Sequence, residues 1–165
     1  TGVQTCALPI LNSLSKTYSI PGIRVGWVAS NTEVADILRD YRDYTMICAG
    51  VFDDMVATLV LENKEAILER NRQIVAENLA LMDAWIAKEP KASWIRPDSV
   101  STSFVKLDVN RPIEDFALEL LQEYGVLVVP GNRFDKESHV RVGYCCDKEV
   151  LQKGLGKLSQ FLNKC

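Results

Sequence analysis

A lysine flanked by serines, with an arginine further along, is the part of this sequence best suited to chemistry. Residues 13–27 read SLSKTYSIPGIRVGW, in which Lys16 and Arg24 carry the charge. A lysine amine attacks a carbonyl only when it is neutral, and only about one free lysine in 2,500 is neutral at pH 7. Burial against apolar groups or a nearby cation lowers the lysine pKa and activates the nitrogen. Lys16 is therefore a candidate nucleophile.

The residues around Lys16 could bind an anion. A Pro-Gly turn follows the lysine, and the alternation over residues 22–30 predicts a strand. Arg24 and Gly26 share one face of that strand, and the opposite face carries Ile23, Val25 and Trp27. A guanidinium there could bind a phosphate dianion bidentately, and the glycine would leave room for a close approach. Ser13 and Ser15 offer short hydroxyl donors nearby.

This segment closely resembles the cofactor-lysine segment of class I and II aminotransferases, the fold-type I enzymes that use pyridoxal 5'-phosphate (PLP). The family pattern is Ser-x-Ser-Lys, a Pro-Gly turn, and Arg-x-Gly followed by an aromatic residue, and every element is present. The resemblance implies that Lys16 is the Schiff-base lysine, which also moves the proton between substrate carbon and cofactor. It implies that Arg24 and Ser13 bind the PLP phosphate, and Ser15 matches a position that is commonly serine.

A second candidate lies near the C-terminus, where residues 139–144 read HVRVGY. In a strand, His139 and Arg141 lie on the face opposite Val140, Val142 and Tyr144. The resemblance implies that Arg141 binds the substrate α-carboxylate through paired hydrogen bonds. Arg133 could select the substrate, although a solvated loop arginine is the favoured interpretation. His139 is expected to be structural or to lie at the rim, because the lysine moves the proton in this family.

The resemblance covers residues 11–165, but only the C-terminal part of the family's subunit. The family's upstream part carries an acidic partner for the pyridinium nitrogen, an aromatic residue stacked on the ring and further phosphate donors. We therefore expect an N-terminally truncated piece of a cytoplasmic PLP-dependent aminotransferase. The parent would transfer an amino group between an amino acid and a 2-oxo acid, and the family implies that it is a homodimer.

Other functions stay open at this point. A PLP-dependent lyase or cyclase acting on an amino acid shares the lysine, both arginines and the fold. The 165-residue chain could also be catalytically silent, as a fragment or a non-enzymatic domain. A nucleotide-binding module has little support, because no phosphate-loop glycine pattern occurs.

Composition and cysteines narrow the class of protein. The net charge of −3, with 47% hydrophobic and 25% charged residues, is typical of a soluble globular protein and argues against disorder and nucleic-acid binding. No stretch predicts a membrane span, and one histidine does not make a zinc site. An odd set of five cysteines favours a reducing compartment. The adjacent Cys145 and Cys146 invite a redox interpretation, but packing as buried small hydrophobes is favoured.

The periodicity predicts mostly helices between residues 32 and 89. Thr32 is the expected N-cap of the first, and an apolar helical stretch covers 45–62. Asn63 is expected to cap a long helix that ends before Pro90.

Beyond Pro90 the pattern predicts a strand, a helix, two strands and a helix. The strands are expected at 103–109, 126–129 and 139–144, with a turn at 130–132. Pro112 and Gly125 bound the first helix, and Asp147 is the expected N-cap of the second.

The predicted fold class is therefore α/β, as part of a fold-type I PLP-transferase: the end of the large-domain sheet plus a small C-terminal α/β sandwich. Residues 11–62 would belong to the large PLP-binding domain, 63–90 would form a connecting helix, and 91–165 would form the small domain. Residues 1–10, TGVQTCALPI, resemble a translated sequencing adaptor and are expected to be non-native.

Overall fold

The computed structural model describes residues 9–164, which divide into two compact units between Asn71 and Arg72. The division falls inside the helix that the sequence predicts as a connector. Residues 1–8, which hold most of the suspected adaptor segment, and Cys165 lie outside the described part. The domain boundaries drawn from the sequence stay a prediction.

The first unit begins with a two-stranded antiparallel sheet. Strand β1 (Ile10–Ser13) pairs with β2 (Gly26–Ala29), and Ser13 lies opposite Gly26. The predicted strand over 22–30 is therefore too long, because a short 3-10 helix occupies Pro21–Ile23. Proline fixes φ near the helical value, which favours this tight turn over an extended chain. Ile10 is part of β1, although the sequence analysis sets it aside with residues 1–10.

Three helices follow, with boundaries that differ from the predicted ones. Helix α1 spans Thr32–Thr45, and its N-cap is Asn31 rather than Thr32, because the Asn31 side chain accepts a hydrogen bond from Val34 N at 3.0 Å. The predicted helix over 45–62 is broken: residues 46–50 are irregular, and α2 spans Val51–Glu62. Helix α3 spans Lys64–Ile86 and ends before Pro90, as predicted.

The second unit contains a four-stranded antiparallel sheet. In chain order its strands are β3 (Ala92–Trp94), β4 (Thr102–Leu107), β5 (Val129–Pro130) and β6 (His139–Gly143), and they lie in the order β3-β4-β6-β5. Strand β3 is not predicted by the hydrophobic pattern, because it has only three residues. Strand β5 is shorter than predicted and includes the proline expected in a turn. Proline is tolerated there because β5 is an edge strand.

Two amphipathic helices cover this sheet. Helix α4 (Ile113–Tyr124) ends at Gly125, whose φ of +65° is the left-handed conformation that glycine adopts without cost. The N-cap of helix α5 (Lys148–Leu162) is Asp147, whose carboxylate accepts from the backbone N–H of Glu149 and Val150. Both ends were predicted from the sequence, since they depend on local signals.

The core of the second unit lies between α4, α5, the end of α3 and the apolar face of the sheet. Seventeen buried hydrophobic residues form it, among them Met82, Val105, Phe116, Val140, Tyr144 and Phe161. Val140 and Val142 on β6 and Tyr144 just beyond it are buried while Arg141 is half-buried, which confirms the predicted alternation. The predicted burial of Cys145 and Cys146 is wrong: both follow the end of β6, and both are exposed free thiols.

Candidate active site

The segment that carries Lys16 is fixed by the residue two positions before it. Leu14 is fully buried against Ala57 and Val60. Its N–H donates to Val25 O at 3.1 Å, and its carbonyl accepts from Ile20 N at 3.1 Å. A buried side chain and two backbone bonds therefore anchor one residue at the base of the loop between β1 and β2.

Lys16 lies in the turn that this anchor supports. Its carbonyl accepts from Ser19 N at 3.1 Å, and the Asn71 side chain donates to the carbonyl of Thr17 at 2.9 Å. These bonds fix the backbone of the turn. The Lys16 residue itself is exposed, so the first unit holds the backbone in place without burying the amine among apolar groups.

Ser13 and Ser15 lie at the end of β1 and just beyond it, and both are half-buried. Ser13 Oγ accepts from Ser15 N at 3.3 Å, which turns the chain towards Lys16. Opposite Ser13, a Cβ added to Gly26 would lie 2.7 Å from Asn12 O. The missing side chain of Gly26 therefore allows β1 and β2 to approach each other.

Arg24 is not on a strand face, which corrects the prediction. It follows the 3-10 helix with a φ of +52°, in the left-handed region, and it is exposed. Its Nη1 donates to the carbonyl of Pro21 at 2.8 Å. A guanidinium has five N–H donors, so this bond leaves donors for an anion.

The donor set of this segment suits a ligand that has both a phosphate and a carbonyl. Two hydroxyls and a guanidinium are the groups that bind a phosphate dianion, and a primary amine is the group that condenses with an aldehyde. PLP has both functional groups, so the residues present fit it. No cluster of three or more His, Cys, Asp or Glu suited to a metal occurs within residues 9–164.

Arg141 belongs to the second unit, on β6 between the buried Val140 and Val142. Its guanidinium carbon lies 4.7 Å from the centroid of the Phe134 ring. Within the second unit's described residues no carboxylate pairs with Arg141, so its donors are available to a carboxylate ligand. Phe134 ends the segment PGNRF, which leads towards the arginine, but the sequence pattern assigns no role to this residue.

The two other polar candidates of the second unit are occupied by local contacts. Arg133 is exposed and pairs with the carboxylate of Glu114. His139 is half-buried, and its Nδ1 donates to the carbonyl of Glu137 at 2.7 Å. Arg133 is therefore an exposed loop arginine, and a structural or rim role for His139 stays a prediction.

Comparison with known proteins finds close structural relatives. A PLP-dependent aminotransferase from Streptococcus suis is 65% identical over the matched part with a TM-score of 0.93, and the match covers 94% of this chain and 42% of that one. The PLP-dependent cyclase OrfR is 27% identical with a TM-score of 0.88, over 94% of this chain and 43% of that one.

Capreomycidine synthase of Streptomyces vinaceus is 29% identical over 151 residues, which are 91% of this chain and 39% of its own length. The chain thus spans about 40% of the length of these relatives. No helix within residues 9–164 is long and apolar enough to cross a membrane.

The solved relatives confirm the predicted fold class, a part of the fold-type I architecture. The model of the family described as aminotransferase class I and II matches residues 3–158. This match includes both the Lys16 segment and the strand of Arg141. The family predicted from residues 13–27 is therefore confirmed, and the chain belongs to the class I and II aminotransferases.

Proposed function

We propose that this chain is part of a PLP-dependent aminotransferase that transfers an amino group between an amino acid and a 2-oxo acid. The observation that carries the proposal is the Lys16 turn. Leu14 anchors its base, the backbone of the turn is hydrogen-bonded, and the amine-bearing residue is left exposed in the segment that also carries Ser13, Ser15 and Arg24. Membership of the family and the 65% identity to the Streptococcus suis enzyme support the same function.

In this proposal each residue of the first unit has a distinct task. Lys16 Nζ holds the cofactor and moves a proton to and from the substrate carbon. Ser13 and Arg24 bind the phosphate, with Ser15 as a further hydroxyl donor. When bound, PLP supplies the electron sink that stabilises negative charge on the substrate carbon.

Arg141 would bind the α-carboxylate of the amino acid or the 2-oxo acid. Its planar guanidinium matches a carboxylate through two parallel hydrogen bonds, which fixes the orientation of the substrate. Its place on a strand with buried neighbours on both sides supports this task, since a fixed backbone limits where the guanidinium can move.

The proposal extends to the organisation of the whole protein. Residues 11–62 would belong to the large PLP-binding domain, 63–90 to a connecting helix and 91–165 to the small domain, while 1–10 would be non-native. The complete enzyme would be a homodimer in the cytoplasm. Free thiols at Cys48, Cys145 and Cys146 support a reducing compartment.

A PLP-dependent cyclase is the second candidate, because OrfR has the same fold over this chain with a TM-score of 0.88. The two reactions differ in their products. An aminotransferase needs a 2-oxo acid acceptor and releases a second 2-oxo acid, whereas a cyclase closes a ring within one amino acid. Product analysis with and without a 2-oxo acid acceptor distinguishes them.

The proposal can be tested by grafting residues 11–164 into the Streptococcus suis aminotransferase in place of its matching segment. We expect the chimera to bind PLP with a visible absorbance band and to convert amino acids to 2-oxo acids. Lys16→Ala should abolish the band and lower turnover by about a thousand-fold or more. Lys64→Ala, at another exposed lysine of the same unit, is the matched control and should leave both unchanged.

A chimera that binds no PLP, or whose band survives Lys16→Ala, would contradict the proposal. The 165-residue chain alone, mixed with PLP, is expected to give only the spectrum of free PLP, because the family draws ring and phosphate contacts from its upstream part. A stable band in the isolated chain, lost in Lys16→Ala, would show instead that these residues suffice.

A further inference from the structure

We propose that Phe134 positions the guanidinium of Arg141 for carboxylate binding, and that Phe104 and Glu114 hold Phe134 in place. The inference rests on the proposed function, because it gives Arg141 the substrate carboxylate as its ligand. It adds three positioning residues that the sequence pattern did not single out.

The contact between Arg141 and Phe134 is the first support. The guanidinium carbon lies 4.7 Å from the ring centroid, within the distance at which a cation is attracted to an aromatic face. The ring offers no oxygen atom to the guanidinium. A carboxylate partner would fix the arginine equally well, but it would occupy the N–H donors that the substrate needs. An aromatic ring therefore orients the cation and leaves its donors available.

Phe104 provides the second support, because it orients the ring of Phe134. The two ring centroids are 5.4 Å apart with an angle of 74° between the planes, which is the favourable edge-to-face arrangement. Phe104 is on β4, directly opposite Arg141 of β6. The paired strands therefore place one aromatic ring beside the arginine, and that ring contacts the second one.

Glu114 provides the third support, because it fastens the loop that carries Phe134. Its carboxylate accepts from Asn132 Nδ2 at 3.0 Å and also pairs with the guanidinium of Arg133. Glu114 is in the first turn of α4, which packs on the sheet. Two consecutive loop residues are thus tied to a helix, and the next residue in the chain is Phe134.

Gly131 closes the same loop from the other side. A Cβ at this position would lie 2.3 Å from Lys136 O and 2.5 Å from His139 O, so only glycine fits without displacing the backbone. The loop is therefore tightly packed at Gly131, the first residue of its helical turn Gly131–Phe134, where Lys136 N also donates to Gly131 O at 3.0 Å. Phe134 itself is 41% exposed, so packing alone does not fix its ring, and these contacts supply the constraint.

The experiment compares Phe134→Leu with Phe134→Tyr, which restores the ring, in two settings. In the 15N-labelled 165-residue chain, we expect Phe134→Leu to shift the Arg141 Nε–H resonance through loss of the ring current, and Phe134→Tyr to keep it. In the chimeric holoenzyme, we expect Phe134→Leu to raise KM for the amino acid about 5-fold with kcat nearly unchanged, while Phe134→Tyr restores KM. Glu114→Gln should give a smaller rise in KM.

The failures of the two proposals can be told apart. If Arg141→Lys leaves KM unchanged in the chimera, the proposed role of Arg141 fails, whatever the resonance shows. If Arg141→Lys raises KM but Phe134→Leu does not, the positioning role is overturned. A Phe134→Leu variant that loses PLP absorbance or kcat in parallel with KM also overturns it, because that pattern indicates general structural damage.

Discussion

The two units of this chain bury their apolar side chains to different extents. The second unit encloses seventeen buried hydrophobic residues, whereas the cluster of the first unit has three: Leu14, Ala57 and Val60. The helices of the first unit expose large apolar side chains such as Tyr44, 89% exposed, and Phe52, 83% exposed. Contiguous exposed apolar surface usually marks an interaction site. The proposed cofactor segment therefore lies in the unit with the smaller core, and the proposed substrate arginine lies in the unit with the larger one.

The largest expected difference between the units is in amide hydrogen exchange. Amides of buried strands such as Val105 and Val140 should exchange about a thousand-fold or more slowly than those of residues 32–62, because exchange tracks the stability of each cooperative unit. Mass spectrometry of peptic peptides measures both in one sample. Equal protection of residues 11–62 and 91–164 would contradict the expected difference in stability between the two units.

Replacing one phenylalanine with alanine in each unit tests how much each core contributes to stability. Phe116 is fully buried and its ring lies 4.8 Å from that of Phe161, so Phe116→Ala should lower the free energy of unfolding by about 3–5 kcal/mol. Phe52→Ala removes the same side chain from an exposed position and should change it by less than about 0.5 kcal/mol. Urea titration followed by tryptophan fluorescence measures both variants. A large loss for Phe52→Ala would show that the first unit has a core that its burial pattern does not reveal.

Two glycines of the second unit differ in the space around them, so alanine at each should have opposite effects on stability. Gly131→Ala should destabilise the protein by about 2 kcal/mol, because the new methyl group would collide with two backbone carbonyls. Gly154→Ala meets nothing within 4 Å in the middle of α5 and should instead stabilise the helix by about 0.5–1 kcal/mol. Thermal unfolding of the two variants should therefore move in opposite directions. A harmless Gly131→Ala would contradict the tight loop beside Phe134.

The smallest expected effect is the pH dependence of the Glu114 contact. The hydrogen bond from Asn132, and then that from Arg133, lowers the pKa of Glu114 below its usual 4.5. The contact therefore contributes stability above pH 4.5, and this contribution is lost as the pH falls through the lowered folded-state pKa. Glu114→Gln should remove this part of the acid dependence, while Asp115→Asn in the same turn should retain it. The side chains are exposed, so added salt should weaken the effect.

The sequence predicts best what local signals decide. The Gly125 helix end, the Asp147 cap and the alternation on β6 all depend on residues adjacent in the chain, and the structure confirms them. The Lys16 turn was located by its motif, but its anchor, Leu14, was not singled out. That anchor depends on a contact with α2, which no local pattern encodes.

The features that the sequence did not predict correctly depend on turns of the chain or on contacts between distant residues. The alternation of residue types predicted a strand at Arg24. In the structure a 3-10 helix ends there, and Arg24 has a left-handed backbone conformation that a hydrophobic pattern does not indicate. Phe134 and Phe104 become neighbours of Arg141 only through the loop fold and the strand register. Cys145 and Cys146 lie beyond β6, which ends at Gly143, and they are exposed although the preceding Tyr144 is buried.

The left-handed conformation of Arg24 has a consequence for selection experiments. A non-glycine residue at φ +52° costs about 1–2 kcal/mol relative to glycine, so the backbone alone would favour another residue at this position. A library of variants at residue 24 selected only for thermal stability should therefore enrich glycine and asparagine. The same library selected for amino-group transfer in the chimera should return arginine, and the divergence between the two pools would measure what the guanidinium contributes.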